Sequence, residues 1–204
     1  TDVSAQCAPT FSGAKCVGAP STFFSNSPGA TNITWTFGVG GPTSNVASPT
    51  YAFSAPGTYK VCVSLTTGSN APCNSCVDVV VVPNPEIKYE LIKQDTQCFL
   101  NNNFEYIDSS EAAPGSSIVR EVWSWSDGEI QYFTNPTRGH KVTKKFQDPA
   151  GGTYDLTIEL EDANGCIVKK VFKDNVTVRA SLGLLFSIPF RDSCNHVTAT
   201  VNNY

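Results

Sequence analysis

The sequence predicts an all-β chain made of two consecutive modules, and three observations support this prediction. Apolar and polar residues alternate in several segments, which is the pattern of strands with one buried face. No segment carries a convincing i, i+3, i+4 apolar stripe, the pattern of an amphipathic helix. Five landmarks recur in the same order in the two halves of the sequence, and such internal similarity is typical of repeated modules.

The most regular alternation lies in residues 58–65 and 153–160. In both segments the apolar side chains fall on one face and the charged ones on the other, so each is predicted to be a strand over a core. Each is followed by turn residues and a second valine-rich run, at residues 76–82 and 166–178, which predicts two hairpins. Asn164-Gly165 fits a tight type I′ turn, because both central residues of that turn need positive φ.

The landmarks shared by the two halves are a cysteine, a tryptophan followed two residues later by another aromatic, a Pro-Thr pair, a Gly-Thr-Tyr tripeptide and a cysteine-containing hairpin. In the first half they are Cys16, Trp35 and Phe37, Pro49-Thr50, Gly57-Thr-Tyr59 and the hairpin that contains Cys62, Cys73 and Cys76. In the second half they are Cys98, Trp123 and Trp125, Pro136-Thr137, Gly152-Thr-Tyr154 and Asn164-Gly-Cys166.

The junction between the modules is predicted near residue 84. The segment Val82-Pro-Asn-Pro-Glu86 contains two prolines, which a central strand does not tolerate. We therefore predict one domain at residues 1–84 and a second at residues 85–179. Residues 180–204 repeat the opening of each module, with an apolar segment, Cys194 and an alternating run, and are predicted to be the first strands of a truncated third module.

These landmarks resemble the PKD domain, whose usual pattern is Trp-Asp-Phe-Gly-Asp-Gly, a proline, and Pro-Gly-Thr-Tyr-x-Val. The first copy has Trp35-x-Phe-Gly-x-Gly40 and Pro56-Gly-Thr-Tyr-x-Val61, with Val39 in place of the second aspartate. The second copy keeps Asp127-Gly128 but replaces Phe-Gly with Trp125-Ser126. The resemblance covers nearly the whole chain, as two copies and a fragment. It implies immunoglobulin-like β-sandwiches with about seven strands each.

The position of the cysteines adds a narrower resemblance. A cysteine near the second strand and a Gly-Cys after the last hairpin are similar to the variant in long, repeat-rich exported proteins of Bacteroidetes. That group includes gliding and adhesion proteins exported by type IX secretion. This step is an analogy of fold and repeat style.

The aromatic landmarks are predicted to build the two cores. The pairs Trp35 and Phe37, and Trp123 and Trp125, are spaced by two residues, so both rings of each pair lie on one face of a strand. The resemblance places Tyr59 and Tyr154 in the cores as well. Rings on the solvent side would instead form a sugar-binding platform, which is the alternative interpretation.

Eight cysteines and only two histidines indicate disulfides and an exported, oxidising compartment. The economical pairing joins Cys98 to Cys166. By analogy Cys16 pairs with Cys73 or Cys76, and Cys62 with the other; Cys62 and Cys76 lie on one hairpin and could be neighbours. This leaves Cys7 and Cys194 without an assigned partner. Cys73-Asn-Ser-Cys76 also has the spacing of a redox or zinc half-motif, but it lacks a βαβ context and a second ligand pair.

The sequence predicts no enzyme, no cofactor and no metal site. His140 and His196 are isolated in sequence, and no hydrolase, metalloprotease or phosphate-loop motif occurs. The acidic group Glu159, Glu161 and Asp162 could bind calcium, as could Asp108 or Asp127. None has EF-hand spacing, so a solvated polar face is favoured.

Charge and composition argue against two classes of partner, nucleic acids and membranes. The formal net charge is −4 and the 14 lysines and arginines are scattered, which argues against nucleic acid. The longest purely apolar run, residues 79–82, is too short to cross a membrane. The absence of methionine indicates a mature or excised piece.

The function predicted from these features is a non-catalytic repeat segment of a large exported cell-surface protein, acting as a rigid stalk, filament or adhesin spacer. Its partners would be neighbouring repeat domains of the same chain, other copies of the filament, or an extracellular surface or glycan. The alternative is an accessory polysaccharide- or protein-binding module of a secreted polymer-degrading enzyme. A homophilic or receptor-type interaction domain is a third interpretation.

Overall fold

The computed structural model describes residues 7–13, 15–180, 191–192 and 195–196, and in these residues the chain consists of β-strands, turns and short 3-10 turns. The all-β prediction is confirmed. The described residues form two compact units. Unit 1 contains the residues up to Pro85 together with Ala112–Ser116 and Asp162–Ile167, and unit 2 contains Glu86–Glu111, Ser117–Glu161 and the residues from Val168 onward.

Unit 1 is built from two antiparallel sheets. One sheet has the order β1-β2-β5 and the other β4-β3-β6-β7. The strands are β1 (Thr10–Gly13), β2 (Pro20–Phe24), β3 (Thr31–Phe37), β4 (Thr43–Ser44), β5 (Thr50–Ala52), β6 (Gly57–Thr66) and β7 (Pro72–Val81).

Unit 2 repeats this arrangement with one more strand. Its sheets have the orders β13-β10-β8 and β12-β11-β14-β15-β9. The strands are β8 (Tyr89–Leu91), β9 (Thr96–Cys98), β10 (Phe104–Asp108), β11 (Ile118–Trp125), β12 (Ile130–Thr134), β13 (Lys141–Lys144), β14 (Gly152–Asp162) and β15 (Ile167–Arg179). The third module predicted at residues 180–204 lies outside the described residues, except for the two-residue strands β16 (Arg191–Asp192) and β17 (Asn195–His196).

The internal repeat is visible in the order of the strands. Strands β2 to β7 occupy the same sheet positions in unit 1 as β10 to β15 do in unit 2. In both units the segment that carries the landmark cysteine pairs in parallel with the end of the last strand. Cys16 forms a bridge to Val82, and Cys98 pairs with Arg179.

The landmark aromatics of unit 1 lie between its sheets. Trp35 is fully buried and Phe37 is 4% exposed. Their spacing turns both rings to the same face of β3, where Phe23 from the opposite sheet contacts them with ring centroids 6.0 Å and 5.3 Å away. Tyr59 is half-buried, stacks on Phe53 at 4.2 Å and donates a hydrogen bond from its hydroxyl to the Ala55 carbonyl.

The core of unit 2 is built in the same way. Trp123 is fully buried, Trp125 is 3% exposed, and both contact Tyr106 from the opposite sheet. Tyr154, which is 9% exposed, stacks on Phe146 with 3.8 Å between ring centroids. The landmark rings therefore fill the cores, and a sugar-binding platform built on them is not available.

The turn at Asn164-Gly165 differs from the predicted type I′ turn. Gly165 has a φ of +77°, whereas Asn164 has no positive φ. The Gly165 amide donates to the Asp162 carbonyl, and the Asp162 side chain accepts hydrogen bonds from the amides of Asn164 and Cys166. Because Asp162 stabilises these amides, the chain forms a turn in which only the glycine is left-handed, a pattern common in slightly longer hairpin loops.

Gly151, which immediately precedes the Gly-Thr-Tyr landmark of the second half, has a steric reason to be glycine, and a substitution will test it. A Cβ on Gly151 would lie 2.3 Å from the Val178 carbonyl oxygen, and its φ is +70°. Gly128 is the matched control, with a φ of +94° and open space at the Cβ position. We expect Gly128→Ala to lower the free energy of unfolding by about 1–2 kcal/mol, the cost of the left-handed backbone alone. Gly151→Ala is expected to lower it by at least about 3 kcal/mol, since backbone must also move.

Urea denaturation of the two variants measures both values. Equal losses would mean that the close approach of Gly151 to the end of β15 is absent in solution.

Candidate functional site

The most distinctive chemical feature of the chain is its set of disulfides. Three are formed among the described residues, Cys7–Cys73, Cys16–Cys166 and Cys62–Cys76, with sequence separations of 66, 150 and 14. Cys98 is disulfide-bonded as well. The seven described cysteines therefore offer no free thiol as a nucleophile or metal ligand. Cys73 and Cys76 belong to two different disulfides, so the Cys-x-x-Cys spacing forms neither a redox pair nor a zinc half-site.

Two predicted pairings are wrong. Cys98 is not joined to Cys166, because Cys166 is bonded to Cys16, and Cys16 is therefore not joined to Cys73 or Cys76. Cys7, which the sequence left without a partner, is bonded to Cys73. Cys194 lies outside the described residues.

In both halves of the chain, the landmark cysteine lies at the wrong end of the last strand to reach the hairpin cysteine predicted as its partner. Cys98 pairs with Arg179 at the end of β15, whereas Cys166 precedes its first residue, Ile167. A strand of this length extends about 40 Å, so the two cysteines are at opposite ends. Cys16 likewise bridges to Val82 just beyond the end of β7, and Cys73 lies at its beginning.

The pairing of Cys62 with Cys76 is present. The two residues are directly opposite each other on β6 and β7, with 4.0 Å between their Cα atoms. A close, laterally adjacent pair of this kind is what the hairpin interpretation required.

Three of the acidic residues considered for calcium, Glu159, Glu161 and Asp127, form ion pairs with basic side chains. Arg120 donates hydrogen bonds to Glu159 and Glu161 at 2.8 Å and 2.9 Å. Asp127 accepts from the ammonium of Lys144, a side chain that is only 1% exposed, and Glu129 accepts from the same group at 2.7 Å. Burial raises the pKa of Glu129, but the hydrogen bonds from Lys144 and Gln131 outweigh this and hold it below its ordinary value. The lysine thus neutralises the Asp-Gly landmark of the second copy.

One cluster of unit 2 was not anticipated from the sequence. Asp108 is the last residue of β10, Glu121 lies in β11, and His140 immediately precedes β13, so the cluster connects the two sheets of the unit. One ligand atom from each of these side chains lies within 4.8 Å of the others. His140, which looked isolated in the sequence, is therefore next to two carboxyl groups.

The cluster is buried and rigidly held. The side chain of Glu121 is fully buried, that of Asp108 is 4% exposed and that of His140 is 15% exposed. The Asp108 amide donates to the His140 carbonyl, and the Gly139 amide donates to the Asp108 carbonyl. The Trp123 indole N–H donates to Glu121 Oε1.

Burial raises the pKa of Glu121 to about 7; the hydrogen bond from Trp123 opposes this rise, and the neighbouring Asp108 carboxylate adds to it. The full burial of Glu121 leaves no approach for a substrate. A signal for this cluster was present in the sequence: Glu121 has the same period-two spacing as Trp123 and Trp125 and must share their inward face.

Comparison with known proteins agrees with the fold. Residues 15–82 match the family model of the PKD domain. No curated protein matches the chain. Among solved structures, the fibronectin(III)-like modules of CbhA from Clostridium thermocellum are 12% identical over 84% of this chain and 93% of that chain, with a TM-score of 0.42.

Two further solved structures are similar to this chain. The three N-terminal domains of the highly immunogenic outer capsid protein of bacteriophage RB49 are 13% identical, over 85% of this chain and 59% of that chain, with a TM-score of 0.34. The ectodomain of mouse nectin-like molecule 4 is 12% identical, over 87% of this chain and 66% of that chain, with a TM-score of 0.34.

The part of the chain that the structure describes contains no helix with the length and hydropathy of a membrane span. The PKD match, the immunoglobulin-like sheets and the disulfides together indicate an extracellular, non-catalytic module.

The raised pKa of Glu121 gives the protein a specific dependence on pH. The folded state holds the Glu121 proton more tightly than the unfolded state does. The contribution of this proton to the free energy of unfolding is therefore fully present below the ordinary pKa of 4.5, and it is lost as the pH rises through about 7. Asp108 and His140 also face this carboxyl group. They remain in a Glu121→Gln variant, so the difference between the two proteins isolates Glu121.

We expect urea denaturation across this pH range to show a decline for the natural chain that is absent or much smaller in Glu121→Gln. The exposed carboxyl group of Glu90 supplies the control, and Glu90→Gln is expected to follow the natural curve. Parallel curves for all three proteins would contradict the burial of an ionisable group at Glu121.

Proposed function

We propose that the chain is a segment of a larger cell-surface protein and serves as a covalently stapled spacer in adhesion or surface motility. The observation that carries this proposal is the Cys16–Cys166 disulfide, which closes a loop of 150 residues. A cross-link that encloses most of a chain prevents that part from being extended by tension. Such a constraint suits a protein that transmits force between two ends.

The hydrophobic cores of the two units also support the spacer function. The landmark tryptophans are buried in the cores, so these large aromatic rings are not available to bind a ligand. The long hairpin of β6 and β7 is paired over ten residues and carries its own disulfide. These features stabilise the module itself, as expected of a spacer.

Export and partners follow from the same proposal. Disulfides persist in oxidising compartments, which supports a position outside the cytoplasm. The similarity of the cysteine arrangement to that of Bacteroidetes surface proteins supports type IX secretion as the route. Neighbouring repeat domains of the parent chain would then be the direct partners, and other copies of the filament or an extracellular glycan the outer ones.

Single-molecule force spectroscopy tests the spacer function. When the oxidised chain is pulled from its ends, the residues between Cys16 and Cys166 are expected not to extend. Reduction should release this segment and lengthen the unfolded chain by about 500 Å, since each residue adds about 3.5 Å.

The Cys62→Ser/Cys76→Ser variant is the matched control. Its 14-residue loop lies inside the larger one, so removal of this disulfide should leave the extension of the oxidised chain unchanged. Full extension of the oxidised natural chain would overturn the proposal that this segment is a covalently stapled spacer.

A cleft in unit 1 favours the binding-module function as the second candidate. It has a volume of about 500 Å³ and is lined by Phe24, Asn26, Pro28, Ile33 and Ser48, among others. The Phe24 side chain is 38% exposed at this position. An exposed aromatic ring beside amide and hydroxyl groups is a combination that carbohydrate and peptide ligands use.

Retention on insoluble chitin, cellulose and collagen distinguishes the two functions. We expect the oxidised chain to pass through all three matrices, as a spacer should. Retention that is lost in Phe24→Ala but kept in Tyr132→Ala, an exposed aromatic of unit 2, would instead establish the cleft as a binding site.

A further inference from the structure

We propose that Asp108, Glu121 and His140 form a binding site for a divalent transition-metal ion, with Zn²⁺ as the best fit. The site would join the two sheets of unit 2, since Asp108 ends β10 in one sheet and Glu121 lies in β11 of the other. Three independent features of the cluster support this assignment: unpartnered buried atoms, a fixed histidine tautomer and ligand separations.

The first feature is a pair of buried polar atoms that make no hydrogen bond, although they lie at ion-pair distance from each other. Glu121 Oε2 and His140 Nε2 are both inaccessible and neither has a hydrogen-bond partner. They face each other at 3.6 Å. Buried polar atoms are nearly always satisfied in native proteins, so two such atoms aimed at one point indicate a group that lies between them.

The second feature is the orientation of His140. Its Nδ1 lies 3.1 Å from the Thr137 carbonyl oxygen, an acceptor, so Nδ1 carries the proton and donates it. This leaves the lone pair of Nε2 directed at Glu121. A histidine that donates one ring N–H to a carbonyl and presents the other nitrogen is in the usual arrangement of a metal ligand.

The third feature is the spacing. Ligands bound at the usual zinc distances in a tetrahedral site are separated by about 3.4 Å. The 3.6 Å between His140 Nε2 and Glu121 Oε2 is close to this value, whereas Asp108, which has an oxygen within 4.8 Å of the other ligand atoms, places its Oδ2 3.8 Å from His140 Nδ1. Rotation of the Asp108 carboxyl group toward Nε2 would complete three protein ligands.

The chemistry of the ligands selects the ion. One imidazole nitrogen with two carboxylate oxygens is a set that zinc and its first-row neighbours prefer, whereas calcium and magnesium favour oxygen alone. The cysteines do not compete, because all seven described ones are in disulfides. With a divalent cation bound, the carboxylates of Asp108 and Glu121 would together balance its charge.

The test uses the full, oxidised chain after removal of metals with a chelator. Calorimetric titration with Zn²⁺ is expected to show one site per chain, and Co²⁺ should give the visible absorption of a low-coordinate nitrogen and oxygen site without thiolate bands. Glu121→Gln and His140→Gln are each expected to weaken binding more than about 100-fold, because each removes a direct ligand. His196→Gln, which removes the other histidine, is the matched control and should bind as the natural chain does.

A nuclear magnetic resonance measurement on the natural chain keeps the test independent of how well the variants fold. Addition of Zn²⁺ should shift the His140 Nε2 resonance and leave those of His196 in place. No binding, binding that survives both ligand substitutions, or binding that is lost in His196→Gln would overturn the site. An unchanged His140 resonance would mean that the cluster shares a proton and holds no metal.

Discussion

The alternation of the two central strands, β3 and β11, is the constraint on which the rest of the structure depends. Once Trp35 and Phe37, or Trp123 and Trp125, face inward, the opposite sheet must supply rings that pack against them, and Phe23 and Tyr106 do so. The same geometry has a chemical cost, because it also buries Glu121 on the inward face of β11. The carboxyl group that distinguishes unit 2 is thus a direct consequence of strand periodicity.

The sequence was sufficient for the strands and for the aromatic cores, because both depend on local spacing. Cys62 and Cys76 could be placed side by side for the same reason, since hairpin register follows from the turn. The disulfide partner of Cys98 could not be predicted. It depends on which end of β15 pairs with β9, the strand that contains Cys98, and parallel pairing leaves no local pattern in the sequence. His140 was missed for a related reason: its carboxyl neighbours lie 32 and 19 residues away in the chain, on other strands.

The landmarks shared by the two halves of the chain have separable physical roles in the second half. Trp123 and Trp125 fill the core and Asp127 neutralises the buried Lys144, whereas Gly151, at the position of Pro56 in the first half, permits the close approach of the chain to the end of β15. The turn at Asp162–Ile167 is different, because it is grouped with unit 1 and its cysteine is bonded to Cys16.

The long disulfide also has a consequence for the order of assembly. In a chain that is made and exported from its N-terminus, Cys16 meets Cys62, Cys73 and Cys76 well before Cys166, its partner 150 residues later, is available. Early oxidation would therefore favour incorrect bonds, which must be exchanged once β15 has formed, through attack of a free thiolate on a disulfide. Maturation of this protein should accordingly depend on a disulfide isomerase, or on oxidation that is delayed until export of the segment is complete.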